Sequence, residues 1–512
     1  MPAASAAGTS NNTLLMSENQ NTPLLITIST LFLTASCASN AFGGLSLTNI
    51  PTLGADVSNE ARCITPDGKY IGGLSGTAAG FFYDVANNAV FQPFFGSPAT
   101  KAVSGICYRL DTNQVPAQVQ IIVDTSSAGW RGYFMTTDGG TNWLRTLLNT
   151  SYDYNVYGSP GQNSLAGSTN GDVFISGFRN SAKNAAYALY NSNLWDTVTP
   201  PQFLGIFKSM PSGASCDVLG VAATGRIVGR RTDSGDVMRN TLWDWLPQSS
   251  TQYQWNGLDG TTYGQAWSVS QDGNVIFGWS HTLTDAVNNY NYKTVLSGSG
   301  TAATPPGSGI TQVSVDPVPE HPRTGGSTTR GVCFGCSADG KYAVGYQYTH
   351  ATQAALWDTS DPDPANWKTM DLTQFAADQG LGVPGVFTCL ERAYAVGINA
   401  AGDIVITGRG VDAATGEYRA FIMTIPPSIA AAGYVSPKLT MTGTYPGPLT
   451  FTYYGGLNTT TYLEYTSDLI NPTPTWTVLD IQANGSTTSV FQFTSTDSTP
   501  DPGPRFYRLR VE

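Results

Sequence analysis

Charge is scarce in this chain. Only 12% of its 512 residues are Asp, Glu, Lys or Arg, and there are three histidines. The 36 acidic residues outnumber the 25 basic ones, for a formal net charge of −11. A basic face for a phosphate backbone is missing, which argues against nucleic acid as the partner, although a local arginine cluster could still hold an anionic ligand. The N-terminal apolar run LLITISTLFLTA (Leu24–Ala35) is shorter than the roughly 20 residues of a membrane-spanning helix, so no membrane span is expected. Amphipathic helical patterns are rare and no G-x-S-x-G elbow sits between a strand and a helix, which disfavours a serine or cysteine hydrolase.

Turn residues, by contrast, are plentiful: 56 Gly and 30 Pro, with many Ser, Thr and Asn. That balance suits a β-rich extracellular protein. The length suggests one large repeat domain and one smaller domain. The run at Leu24–Ala35, followed by SCASNA ending at Ala41, has the size of a signal peptide's hydrophobic region. No Lys or Arg precedes Arg62, so the usual positive start is lacking. The reading adopted is a signal beginning at Met16, with a disordered leader as the alternative; residues 1–41 are assigned as leader, and the protein is expected to be secreted or at the cell surface. A lipobox at Cys37 is the weaker reading, because Thr34 stands where an aliphatic residue is expected.

Beyond Cys37 there are six cysteines, Cys63, Cys107, Cys216, Cys333, Cys336 and Cys389, which permit up to three disulfides without fixing their pairing. The CFGC segment has no second C-x-x-C and no following His, so it is read as two strand cysteines pointing to opposite faces.

A repeat organises the chain. CITPDGKYIGG begins at Cys63, AGSTNGDVFISG at Ala166, GVAATGRIVG at Gly220, SVSQDGNVIFG at Ser268, GCSADGKYAVG at Gly335 and GINAAGDIVITG at Gly397. Each has a strand end, a small polar turn closed by Gly, and an apolar strand running into a second Gly. A degraded copy, Val119–Gly140, fills the long gap after the first. A further strand follows in most units, as in GFFYD, TLWD and ALWD. The expected fold is all-β: a seven-bladed β-propeller over residues 42–434, followed by a small β-sandwich over 435–512. The last unit is one strand short, and residues 45–50 are expected to supply it by pairing near Phe421, which would leave no open edge.

The segment Ala393–Thr424, with its A-x-G-I-N-x-x-G-x-I-V core before A-F, resembles the HAF-type repeats of secreted bacterial proteins. That resemblance implies export and a surface or matrix role, and it brings no catalytic residues. The C-terminal strands, with YLEYTSDL and a closing RFYRL, resemble accessory domains of exported bacterial enzymes and adhesins, which tether or bind. TTDGGTNW (Thr136–Trp143) resembles an Asp box, a structural turn of glycan-acting propellers, and is read as a stabilised hairpin.

Loops after the second glycines should share one face of the ring. They carry Phe178, Arg179, Arg230, Arg231, Trp279, His281, Tyr346, Tyr348, His350 and Arg409, and the connections entering each blade add Arg62, His321, Arg330, Glu391 and Arg392. In the first reading the chain binds an extracellular polysaccharide or another cell-surface component, or acts as a scaffold. Trp279, Tyr348 and Phe178 would stack on sugar rings, and Arg231, Arg330 and Arg409 would pair with acidic groups. In the alternative, the same face is a polysaccharide lyase or glycoside hydrolase acting on an acidic polysaccharide. A lyase would use His281, His350 or Tyr346 for proton transfer beside Arg231 or Arg330. A hydrolase would need two carboxyl groups from among Asp233, Asp236, Glu320, Glu391 and Glu417. No cofactor is called for. A metal held by the three histidines ranks last, and whether loops hold structural calcium is left open.

Overall fold

The computed structural model describes residues 44–511, apart from 78, 93–101, 112–117, 128–129, 139–142, 149–164, 168–173, 180–184, 191–202, 207–214, 233–236, 245–252, 287, 299–309, 320–329, 349–351, 384, 433–439, 444–447, 456–458, 468–474, 485–490 and 499–504. These form two compact units, divided along the chain between Pro427 and Ser428.

The larger unit is a β-propeller built of seven four-stranded antiparallel sheets. Numbered along the chain by their first strands, sheets 1 to 7 begin with Asn59–Ile64, Ala102–Asp111, Leu165–Gly167, Ser215–Val221, Gly264–Val269, Arg330–Cys336 and Phe387–Ile398. These inner strands contact one another in sequence, and the last returns to the first, so the ring closes. The fourth strand of sheet 7 comes from the start of the unit: Ser46–Asn49 pairs antiparallel with Tyr418–Ile425, Asn49 opposite Phe421. Asn59, 3% exposed, pins this closure. Its side-chain amide donates to the carbonyls of Ile50 (2.9 Å) and Pro51 (3.0 Å), and its carbonyl accepts from the Ala420 N–H (2.7 Å).

Local chemistry explains the repeat. In sheets 1 and 6 a hydroxyl organises the turn: Thr65 donates to Asp67 (2.8 Å) and accepts from Tyr70 N–H (3.1 Å), and Ser337 donates to Asp339 (2.6 Å) and accepts from Tyr342 N–H (3.1 Å). Ser270 and Asp272 do the same in sheet 5. Thr136 and Asp138 of the Asp-box-like segment make the same contact (2.8 Å), as a stabilised hairpin requires. The turn glycine has two reasons to be glycine. Gly340 sits at φ +67°, and a Cβ there would lie 2.6 Å from Val275 of the preceding sheet. Neighbouring turns are also bonded through their backbones. Ala223 N–H donates to the Gln271 carbonyl (3.1 Å), Gln271 N–H to Ala338 (2.8 Å) and Ile398 N–H to Pro66 (2.8 Å).

The second glycine answers to a β-bulge. The inner strands of sheets 1, 2, 4, 5, 6 and 7 carry an extra residue at their pairing with the second strand, Arg62, Ser104, Leu219, Trp267, Phe334 and Tyr394, and that of sheet 7 has two more, Thr388 and Glu391. The kink presses a carbonyl toward the partner strand. A Cβ on Gly345 would lie 1.8 Å from the Val332 oxygen, and Gly73, Gly229, Gly278 and Gly408 meet the equivalent carbonyl within 2.2 Å.

The bulge also corrects the reading of CFGC. An odd spacing puts two residues on opposite faces of a regular strand, but the extra Phe334 restores the parity. Cys333 and Cys336 pair opposite Gly345 and Ala343 and join one core with Trp357, Trp367 and Ala355. With Cys389 they are free thiols, so the six cysteines do not form three disulfides; Cys63, Cys107 and Cys216 are buried. The W-D strands give Trp243 and Trp357 to the packing between sheets, where both are fully buried. Each such side chain contributes about 2–3 kcal/mol of apolar transfer.

The smaller unit has two three-stranded sheets. One orders Thr440–Gly443, Leu449–Gly455 and Phe491–Asp497; the other places Thr459–Thr466 between Thr477–Asn484 and Phe506–Val511. Leu449 and Phe451 of the first share a core with Leu463, Tyr507 and Leu509 of the second. Buried Glu464 and Asp497 are neutralised by Arg508 (2.6 Å) and Arg505 (2.5 Å). No helix among the described residues is long and apolar enough to cross a membrane.

Candidate binding site at the axial end of the loop face

Each inner strand runs from the loop face toward the turns. Its first residues, and those past the second glycine on the neighbouring strand, therefore gather at the loop end of the ring's axis. Two groupings lie there.

The first is ionic. Arg409, just beyond Gly408, binds Glu391 in bidentate fashion (2.9 and 3.1 Å) and reaches Glu60 of sheet 1 (3.0 Å). Its face covers the Tyr418 ring at 4.1 Å. Glu60 also accepts from the Arg62 Nε (2.7 Å). The Arg392 guanidinium lies 4.8 Å from the centroid of Tyr346, with its Nε 3.5 Å from Glu391. Three guanidiniums against two carboxylates leave one positive charge in excess, within a chain of net −11. All five side chains are largely withdrawn from solvent, Arg392 least so at 28% exposure, so salt screens them less than surface pairs.

The second grouping is aromatic. The bulged residues Leu219, Trp267, Phe334 and Tyr394 come from four consecutive inner strands and cluster with Trp279 and Val332, a meeting that requires the axis. Phe334 is the hub, 5.1 Å from Trp267, 5.2 Å from Tyr394 and 5.4 Å from Tyr346 between ring centroids. Half-buried Tyr263, Tyr346 and Met238 pack against this cluster. His281 stacks on Tyr263 at 4.2 Å. Burial pushes the imidazole of His281 below its usual range, against a hydrogen bond with Asn289 and the charge of Asp285. The Tyr394 hydroxyl is fully buried without a hydrogen-bond partner, and burial raises its pKa. Nearer the turns a cavity of about 50 Å³, bounded by Ile64, Val221, Ser268, Cys336 and Val396, has room for water and none for a sugar.

The residues singled out from sequence fare differently. Tyr346, His281 and Arg409 fall within these groupings, with Arg62, Glu391 and Arg392. Arg409 has its donors engaged by two carboxylates. Trp279 is 6% exposed and supports Tyr263 and His281 from within the core, so its ring is not presented on the rim. Arg231 is half-buried opposite Cys216 and Arg239 in sheet 4, its Nε buried without a hydrogen bond. Arg330, Tyr348 and Phe178 occupy strand positions opposite Tyr348, Arg330 and Ala186, and their side chains lie outside the described residues. His350, His321, Asp233, Asp236 and Glu320 also lie outside them.

Sequence reasoning missed Glu60, Tyr263, Tyr418 and the bulged aromatics. A signal for the last was present. In sheets 1, 4, 5 and 6 the bulged residue stands six positions before the turn glycine, and in sheets 5 and 6 it is aromatic.

No family model matches this chain, and no curated protein does. Solved structures give weak overall likenesses. TolB from Acinetobacter baumannii is 9% identical with a TM-score of 0.30, covering 60% of this chain and 62% of that one. The periplasmic gluconolactonase PpgL of Pseudomonas aeruginosa is 11% identical with a TM-score of 0.36, covering 72% and 95%. Saccharomyces cerevisiae Sqt1 is 11% identical with a TM-score of 0.39, covering 80% and 95%. None of them bears on the residues of the site.

Proposed function

We propose that this chain is a binding propeller that holds an acidic extracellular glycan at the loop end of its axis. The observation that carries the reading is the juxtaposition of half-buried Tyr263, Tyr346 and His281 with an arginine-rich ion network of excess positive charge, on an otherwise acidic protein. Aromatic faces suit the apolar face of a sugar ring, and guanidiniums suit its acidic substituents. Secretion through the leader at 1–41 and tethering by the C-terminal unit belong to the same proposal.

A lyase is the second reading, favoured by half-buried His281, stacked on Tyr263; burial shifts its imidazole toward the neutral form that a general base needs. A hydrolase is less well supported: Glu391 and Glu60 are both tied to Arg409, an arrangement for holding charge and not for passing a proton. The test is retention of the full chain on columns of acidic and neutral polysaccharide, with ultraviolet absorbance followed for unsaturated uronates. Retention on the acidic column alone, without absorbance, supports binding. Absorbance that vanishes in His281→Ala replaces binding by lyase activity, and neither retention nor absorbance overturns both.

A further inference from the structure

The three guanidiniums of the ion network are not equivalent. Arg409 commits its Nε and Nη2 to Glu391 and its Nη1 to Glu60. Arg62 commits its Nε and Nη2 to Glu60. Arg392 makes no hydrogen bond to the described residues. Its nearest carboxylate, Glu391, is 3.5 Å from Nε and already shared with Arg409, and that Nε is buried without a hydrogen-bond partner. Yet Arg392 is not without a contact, because its guanidinium lies over the Tyr346 ring, 4.8 Å from the centroid. At 28% exposure it is also the most open of the three.

Building on the binding reading above, we infer that Arg392 is the residue that receives the ligand, and that the group it receives is the carboxylate of a uronic acid. Of the Arg392 nitrogens only Nε is buried without a partner, which leaves the two terminal nitrogens to meet a planar acceptor with two oxygens. The side chain is ordered before the ligand arrives, so little rotamer freedom is lost on binding. The half-buried rings beside it offer a flat apolar surface for the pyranose that carries the carboxylate. Arg62 and Arg409 frame this receptor: their hydrogen bonds engage Glu60 and Glu391, so that Glu391, 3.5 Å from the Arg392 Nε, is not hydrogen-bonded to it, and the local charge stays positive.

The experiment titrates the full chain with a short oligogalacturonate and with the same oligosaccharide reduced to its neutral alcohol. The wild type is expected to bind the acidic form and to lose affinity for the neutral one. Arg392→Ala should weaken acidic binding about tenfold to a hundredfold, the scale of a lost charge-assisted contact. Arg392→Lys, which keeps the charge without the two-nitrogen edge, should recover only part. Melting curves check that both variants fold, and Arg392→Gln serves if Arg392→Ala does not. If the wild type binds neither probe, the binding reading itself falls. Acidic binding that Arg392→Ala leaves unchanged overturns the assignment of Arg392 and leaves binding in place. Equal wild-type affinity for both probes removes the carboxylate. Equal losses for both probes in Arg392→Ala reduce Arg392 to a support for Tyr346.

Discussion

Replacing Asn59 by Leu should loosen the ring at its closure before it loosens anything else. The side chain is 3% exposed and makes hydrogen bonds to Ile50, Pro51 and Ala420, so it ties the closing strand both to sheet 1 and to the third strand of sheet 7. Leucine has the same branched, four-heavy-atom side chain with bulkier ends, so no cavity is created. Three neutral hydrogen bonds at about 1 kcal/mol each are lost, and the buried Ala420 N–H is left without a partner; the sum is about 3–4 kcal/mol. The assay is hydrogen exchange on the full chain, followed at Ser46–Asn49 and Tyr418–Ile425. Exchange there should quicken by two orders of magnitude or more, while the inner strands of sheets 4 and 5 change least. Asn59→Asp, which keeps the acceptor for Ala420 N–H but sets a buried carboxylate against the Ile50 and Pro51 carbonyls, should loosen the closure at least as much. Unchanged protection at the closing strand in Asn59→Leu would refute the argument, and uniform loosening round the ring would show that closure is not a local event.

Further expectations follow from the repeat. Gly345→Ala forces a methyl to within 1.8 Å of a carbonyl oxygen and should cost about 3 kcal/mol, read as a lowered urea midpoint, whereas Gly385→Ala, with nothing nearer than 4.0 Å, should be close to neutral. The carboxyls of Asp67, Asp272 and Asp339 are pushed up by burial, but hydrogen bonds from their turns more than offset this and leave all three below the usual 3.8. With folded values below unfolded ones, their contribution is full above about pH 4 and is lost as pH falls through the folded values. Ser337→Ala should therefore make the acid side of a stability-against-pH curve shallower. Burial raises the Cys333 thiol and pushes that of Cys336 up to about 12, so a thiol reagent at pH 8 should leave fully buried Cys333 unmodified until the protein unfolds and reach half-buried Cys336 only slowly; rapid labelling of Cys333 in the native chain would contradict its burial.

Much of the architecture was legible because the turns announce themselves. A small polar residue, an acid and a glycine at fixed spacing define a tight turn whatever surrounds it, and the strands between must pair. The strand missing from the last unit, with a spare one before the first, pointed to the pairing of Ser46–Asn49 with Tyr418–Ile425. The parity of CFGC was not legible, because a bulge changes pairing without changing composition. For the same reason Trp267 and Phe334 read as ordinary strand residues although they meet at the axis. Sequence placed Arg62, Glu391, Arg392 and Arg409 on one face. Their mutual pairing depends on Glu60, whose contact with Arg409 spans 349 positions of the chain.

The backbone bonds between neighbouring turns have a consequence for how this protein can change. Ala223 to Gln271, Gln271 to Ala338 and Ile398 to Pro66 tie sheets 4, 5 and 6, and sheets 7 and 1, on the turn side through main-chain atoms, and are therefore indifferent to most side-chain substitutions. The loop side has its ion network and aromatic floor instead, made of side chains. One side of the ring can thus keep the sheets in register while the other is rewritten residue by residue. Chain ends moved to a loop-side connection would leave these links intact; a cut at Ala338 would break the one between sheets 5 and 6.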